Sequence, residues 1–191
     1  GYLNEGERQK LRQAANQMVD APIYIDDTAG VNLLDMHAKL RRLKSERKQL
    51  GLVIVDYLQL MSGGSNAENR QLEVSEISRG LKILARELEV PIVALSQLSR
   101  SLEARADKRP MLADLRESGS IEQDADIVLF IHRDKDNPEM QREAELIIGK
   151  HRSGNTGEIK LAWHGQYTKF GDFHYGGDPN GSASGGSVDF F

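Results

Sequence analysis

The sequence contains no cysteine. Disulfides, thiolate metal sites and thiol catalysis are therefore excluded; this is compatible with the cytoplasmic setting expected here and does not prove it. No apolar run approaches the roughly 20 residues of a membrane helix, so no membrane partner is expected. The opening residues Gly1-Tyr2-Leu3-Asn4-Glu5 carry no basic n-region or apolar h-region, so no signal peptide is expected. Positive charge is scarce too: 25 Lys and Arg stand against 29 Asp and Glu, a formal net charge of −4. Bulk basicity does not advertise nucleic acid, and any such contact must come from a few placed side chains. Metal motifs of His or Cys spacing are missing, as is a G-x-S-x-G nucleophile elbow. No G-x-x-x-x-G-K-[ST] phosphate loop occurs, because Gly63-Gly64 and Gly176-Gly177 lack the following Lys and Ser/Thr.

What is present suits one globular domain and a tail. The chain has 191 residues, 39% hydrophobic and 28% charged. Leu11, Ala14, Ala15 and Met18 share helical spacing within a predicted helix over 5–19. Pro22 to Asp27 reads as a short strand and Thr28 to Gly30 as a turn. Asn32 is placed to cap a helix over 33–50 with the face Leu33, Met36, Leu40, Leu43, and Gly51 stands at its expected C-cap. Leu52 to Val55 reads as a buried strand ending at Asp56. Ser62 to Asn66 reads as a flexible loop. A long helix over 68–89 is expected to turn Leu72, Ile77, Leu81, Leu84 and Leu88 inward. Pro91 to Leu95 reads as a second buried strand, with Ser96 and Gln97 at its end. Residues 98–120 offer only short helical stretches. Further strands are expected at 126–131, 143–149 and 158–163, the last two suited to a hairpin across Ser153-Gly154-Asn155. Strands alternating with helices predict an α/β fold around a mostly parallel sheet. From His174 the composition turns to Gly and Ser, so the division is a domain over 1–173 and a flexible tail over 174–191. Val188-Asp189-Phe190-Phe191 could serve as a tethered binding peptide, though composition favours a plain unstructured terminus.

Four groups of residues suggest chemistry. Asp56 ends an apolar strand where α/β sheets bind ligands, and such an acid holds Mg²⁺ in nucleotide hydrolases. By itself it reads equally as a cap on the following loop. Gln97 ends the next strand, so a parallel sheet places both on one edge, where an amide can sense a γ-phosphate or orient a water. Arg116-Glu117-Ser118-Gly119-Ser120 forms a polar loop whose N–H groups and Arg116 suit a phosphate, although composition alone favours a solvated loop with a surface ion pair. Alternation along Lys150-His151-Arg152 puts the two cations on one side, which suits a polyphosphate or an exposed basic hairpin; His151 reads as surface. The acidic run Glu122, Gln123, Asp124 and Asp126 reads as loop caps or metal ligands. Lys39, Arg41, Arg42, Lys44, Arg47 and Lys48 read as a solvated basic face. Trp163, Tyr167 and Phe170 read as packing residues or base-stacking platforms.

Asp56-Tyr57-Leu58-Gln59-Leu60, Glu68-Asn69-Arg70, Val74 to Arg79, Ala94 to Arg100, Lys108-Arg109-Pro110, Leu115 to Asp126 and Lys150 to Gly154 occur in order at matching separations. Over about residues 1–171 the chain closely resembles the bacterial replicative DNA helicases of the DnaB family. The resemblance implies a RecA-like, ATP- and Mg²⁺-dependent motor in a hexameric ring on single-stranded DNA, whose parent protein would meet primase and a helicase loader. It implies Asp56 as the Walker B acid, Gln97 as the link between nucleotide and DNA loops, and Arg116, Glu117 and Gly119 on DNA. It implies Lys150 and Arg152 on the ATP of the adjacent subunit. In this family the phosphate loop, the water-polarising glutamate and the primase-docking domain lie upstream of the matched segment, so this polypeptide alone is expected to be inactive as an ATPase. The competing expectations are a non-catalytic RecA-like module for assembly or DNA contact, and a recombinase-type RecA relative, which the Arg116 and Gln97 segments disfavour.

Overall fold

Asn4 opens the first helix, α1 (Glu5–Val19), through a reciprocal capping box: its Oδ1 accepts from the Glu7 N–H at 2.9 Å, and its own N–H donates to Glu7 Oε2 at 2.8 Å. The computed structural model describes residues 3–47, 49–62, 70–105, 107–134 and 141–173, and only the backbone of residues 116–119. The loop expected at 62–66 beyond Ser62, and the tail over 174–191, lie outside the described residues. Two units are distinguished, Gly1–Gly30 and Val31–Phe191. In the first unit α1 keeps its predicted span, but Leu11 and Met18 are exposed. The strand expected at Pro22 to Asp27 does not form. Ile23 and Ile25 are exposed, and this stretch has no ladder partner among the described residues. A turn follows as expected, with Asp26 Oδ1 accepting from the N–H and hydroxyl of Thr28.

In the second unit α2 (Leu33–Arg47) starts where the sequence predicts. Asn32 Oδ1 accepts from the Asp35 N–H at 2.8 Å. The helix stops at Arg47, short of residue 50, and Gly51 does not cap it. Leu50 packs with Leu84, Leu88 and Val90, and Val53 is already in a ladder, so the chain has to be extended by then. The next helix, α3 (Arg70–Leu88), buries Val74, Ile77, Ser78, Leu81, Leu84 and Leu88. Leu72, expected inward, is exposed: two residues before Val74 it points about 200° round the helix from the buried stripe. The helices α2 and α3 approach closely at Gly80, where a Cβ would collide with Leu33 Cδ1. Past Leu88, Glu89 takes a left-handed φ of 50°, and the Val90 N–H donates to the Ala85 carbonyl.

The strands β1 (Val53–Val55) and β2 (Ile92–Ala94) pair in parallel, Val53 beside Ile92 and Val55 beside Ala94. Their inner side chains join Leu58, Met61, Ile77 and Leu81 in the core. Neither strand is buried on both faces as expected. Ile54 and Val93 point outward and are exposed, because α2 and α3 cover only one face. The other strands form an antiparallel sheet in the order β3 (Ile127–His132), β4 (Glu143–His151), β5 (Gly157–His164), β6 (Lys169–Asp172). The hairpin between β4 and β5 is as predicted. The preceding strand, β3, pairs antiparallel with β4. The α/β class holds, a parallel pair flanked by helices plus antiparallel C-terminal strands. The sequence signal misses β6: four residues with Gly171 and one large apolar side chain, held by pairing to β5. Leu115, Val128 and Phe130 form the core beneath this sheet. Among the described residues no helix is long and apolar enough to cross a membrane.

Candidate nucleotide and nucleic-acid site

The parallel ladder ends at Val55 beside Ala94, and Asp56 follows at once. Its carboxylate is on an exposed residue at the carboxyl edge of β1. The Leu95 N–H donates to the Val55 carbonyl and the Leu58 N–H to the Leu95 carbonyl, both at 2.9 Å, so the two strand ends stay stitched past the ladder. The Asp56–Tyr57 peptide is cis. A 3₁₀ turn, Leu58–Leu60, comes next, pinned by Leu58 at 2% exposure. Gln97 leaves the same edge, three residues past Ala94, and is exposed. The structure thus brings Asp56 and Gln97 to one sheet edge.

Sequence reasoning missed the residue between them. Gln59 Oε1 accepts from the Gln97 N–H at 3.3 Å, while its Nε2 donates to Ser96 Oγ at 3.1 Å and to the Gln97 carbonyl at 3.4 Å. Arg70 supports it from α3, donating to the Gln59 carbonyl at 2.6 Å and pairing with Glu73. A cavity of about 90 Å³ lies here, lined by Gln59, Arg70, Ser96, Gln97 and Asp114 among others. The available signal was a polar residue interrupting Leu58-Gln59-Leu60.

The backbone of Arg116 and Glu117 lies in the 3₁₀ turn Leu112–Ser118, and Gly119 opens α4 (Gly119–Asp124). The side chains expected on DNA lie outside the described residues. Their turn is fixed by Asp114, which is 5% exposed: its Oδ2 accepts from Arg105 Nη2 at 2.9 Å and from the Met111 N–H at 2.8 Å. The Asp114 carbonyl accepts from the Ser99 N–H at 3.1 Å, joining this turn to the segment after Gln97.

Lys150 and Arg152 do share a side, as alternation predicts. Both close on the end of α4. The Lys150 ammonium donates to the carbonyls of Glu122 at 2.5 Å, Ala125 at 2.7 Å and Gln123 at 3.3 Å. Arg152 Nη2 donates to the Gln123 carbonyl at 3.2 Å, and Nη1 pairs with Asp126 at 3.4 Å. Cations at the end of a helix satisfy its orphan carbonyls and complement its dipole. His151 is half-buried, in place of the surface position expected. Its ring packs so close to Gly154 that a Cβ there would collide with it.

The acidic run divides its work. Asp124 accepts from Ser78 Oγ at 2.9 Å, tying α4 to α3. Asp126 accepts a hydrogen bond from Lys82, which together with the charges of Lys82, Arg152 and Arg86 holds its carboxyl below the usual range against the opposing effect of burial. Among the described residues no group of three His, Cys, Asp or Glu could hold a metal. A lone exposed carboxylate still fits Mg²⁺, which binds one or two protein carboxylates together with phosphate oxygens. Asp56 is such a group and would supply one hard oxygen ligand. The basic face of α2 is partly engaged: Arg41 and His37 meet Glu87, Arg42 meets Glu46, and Lys44 donates to the Leu88 carbonyl at the end of α3. Trp163 and Phe170 pack together across β5 and β6 at 4.7 Å between centroids, with Arg133 over Trp163; Tyr167 is exposed.

Residues 1–172 match the family model described as the DnaB-like helicase C terminal domain. The chain is 55% identical over 174 residues to the replicative DNA helicase DnaB of Geobacillus stearothermophilus, covering 89% of this chain and 38% of that protein. It is 50% identical over 174 residues to the replicative DNA helicase DnaC of Bacillus subtilis (strain 168), with the same coverages. The chain therefore spans 38% of the length of these relatives. Among solved structures it is similar to one described as an ATPase domain, with a TM-score of 0.83 and 42% identity, covering 91% of this chain and 62% of that one. A structure of a DnaB-like replicative helicase, described with its interactions with primase, matches at the same TM-score and identity, covering 91% of this chain and 43% of that one.

Proposed function

This chain belongs to the DnaB-like helicase C-terminal domain family, and from that premise we propose that it is part of the motor of a replicative DNA helicase. The motor couples ATP hydrolysis to translocation on single-stranded DNA and to duplex unwinding. The observation that carries this reading is the shared edge of β1 and β2, from which Asp56 and Gln97 both emerge. Asp56 binds the Mg²⁺ of ATP, and Gln97 responds to the γ-phosphate. Arg116, Glu117 and Gly119 belong to the loop that contacts DNA phosphates, with Arg116 the cation on it. Lys150 and Arg152 serve the nucleotide of an adjacent subunit in a hexameric ring, as a trans-acting arginine finger does. Primase is the partner suggested by the similar helicase structure, with a loader as a further partner of the intact protein. A cytoplasmic setting suits a chain without cysteine.

A second reading rests on the lack of a G-x-x-x-x-G-K-[ST] run in these 191 residues. By itself the polypeptide then acts as a non-catalytic assembly and DNA-contact module. Two substitutions in the intact protein test the leading reading. Asp56→Asn is expected to abolish DNA-dependent ATP turnover. Arg116→Ala is expected to weaken single-stranded DNA binding and to lower the salt slope by about one. Full turnover by Asp56→Asn, or unchanged binding by Arg116→Ala across a salt series, defeats the corresponding assignment.

A further inference from the structure

Gln59 is a polar interruption in an otherwise apolar run, Tyr57-Leu58-Gln59-Leu60-Met61, on the turn directly after Asp56. We infer that Gln59 is a positioning residue: its side-chain amide fixes the backbone of Gln97 relative to Asp56 and so sets where the Gln97 side chain stands. The inference rests on the reading of Asp56 and Gln97 as a nucleotide site and goes further by naming what holds that site in register.

A primary amide carries the same donor and acceptor as a peptide group. The β1–β2 ladder ends at Val55 and Ala94, so among the described residues no strand pairs with the backbone at Gln97. Gln59 supplies the missing partner. Its Oε1 takes the Gln97 N–H, and its Nε2 gives to the Gln97 carbonyl and to Ser96 Oγ. The side chain thus reads both polar groups of one residue, as a neighbouring strand would.

The amide can do this because its own backbone is held from three sides. Leu58 is sunk in the core next to it, the Leu58 N–H bonds to the Leu95 carbonyl, and Arg70 bonds to the Gln59 carbonyl at 2.6 Å. Beyond Gln97 the connection continues, since the Ser99 N–H bonds to Asp114, whose turn carries Arg116 and Glu117. A fixed Gln97 backbone therefore lies between the strand end at Asp56 and the turn assigned to DNA.

Steady-state ATP turnover by the intact protein, with and without single-stranded DNA, tests this. Gln59→Leu keeps the bulk and removes the amide. Its DNA-stimulated kcat is expected to fall by about tenfold, while KM for ATP stays within about twofold. The double variant Gln59→Leu/Gln97→Ala is expected to be no slower than Gln97→Ala alone, because both act through one group. Gln59→Glu, which stays polar at a half-exposed position, guards against a folding defect. It keeps an acceptor for the Gln97 N–H but has no donor for the carbonyl, so it too is expected to lose stimulation. Wild-type stimulation in Gln59→Leu or Gln59→Glu overturns the inference, as does a double variant whose two losses multiply. If Asp56→Asn is inactive while Gln59→Leu behaves as wild type, this inference alone fails. If Asp56→Asn turns over ATP normally, the nucleotide-site reading fails and takes the inference with it.

Discussion

The Lys150 ammonium lies 2.7 Å from the Ala125 carbonyl, just past the last turn of α4. Two more carbonyls, of Glu122 and Gln123, complete its three donor bonds. A lysine so engaged holds a helix end. The proposed reach to a neighbouring subunit's phosphate would require it to give up these bonds.

Lys150→Met is therefore expected to destabilise this chain by about 1–2 kcal/mol, since hydrogen bonds to a charged donor are lost and carbonyls are left orphaned. Urea unfolding of the two forms measures it. Equal midpoints and slopes would show that the capping bonds add nothing to the fold.

Asp126 gives a pH signature. The hydrogen bond from Lys82, helped by the charges of Lys82, Arg152 and Arg86, lowers its folded pKa below the unfolded value. A depressed carboxyl contributes stability that is present above the unfolded pKa of about 3.9 and is lost as pH falls through the folded value. The residue is 56% exposed, so solvent screening keeps the contribution below about 1 kcal/mol. Asp126→Asn should be less stable than wild type near neutrality, and the gap should close as pH drops below about 4. A gap of constant size over that range would refute the linkage.

Leu58 and Leu72 are the same residue type in opposite environments, at 2% and 63% exposure. Leu58→Ala is expected to cost about 2–5 kcal/mol, because it removes the side chain that pins the turn after Asp56. Leu72→Ala should stay within about 0.5 kcal/mol of wild type. Thermal or chemical denaturation of both variants checks the contrast, and similar losses would contradict the packing described for α3.

The polypeptide of 191 residues is expected to show no ATP turnover on its own, because it carries no phosphate-loop motif to cradle a triphosphate. A phosphate-release assay with this chain and its Asp56→Asn variant checks the point. Turnover by the first and not the second would be the disproof.

Much of this was legible from residue order. Helical periodicity fixed α1 to its observed ends and placed the start of α2 at the Asn32 cap, since capping and periodicity are local properties. Runs of Ile, Val and Leu located β1 to β5, and alternation put Lys150 and Arg152 on one side, where both meet the Gln123 carbonyl. The misses are non-local. The segment Pro22 to Asp27 has strand composition, yet no neighbour pairs with it among the described residues. By contrast, β6 has little strand composition and forms because β5 offers an open ladder.

Sequence alone determined which residues could do chemistry and which local structures carry them, because spacing and propensity act over a few residues. Tertiary structure decided their company. It set Gln59 against Gln97 across 38 residues and Lys150 against the end of α4 across 25 to 28. Such bonds depend on where distant backbone groups are left unpaired once the core has closed, and hydrophobic pattern carries no record of that.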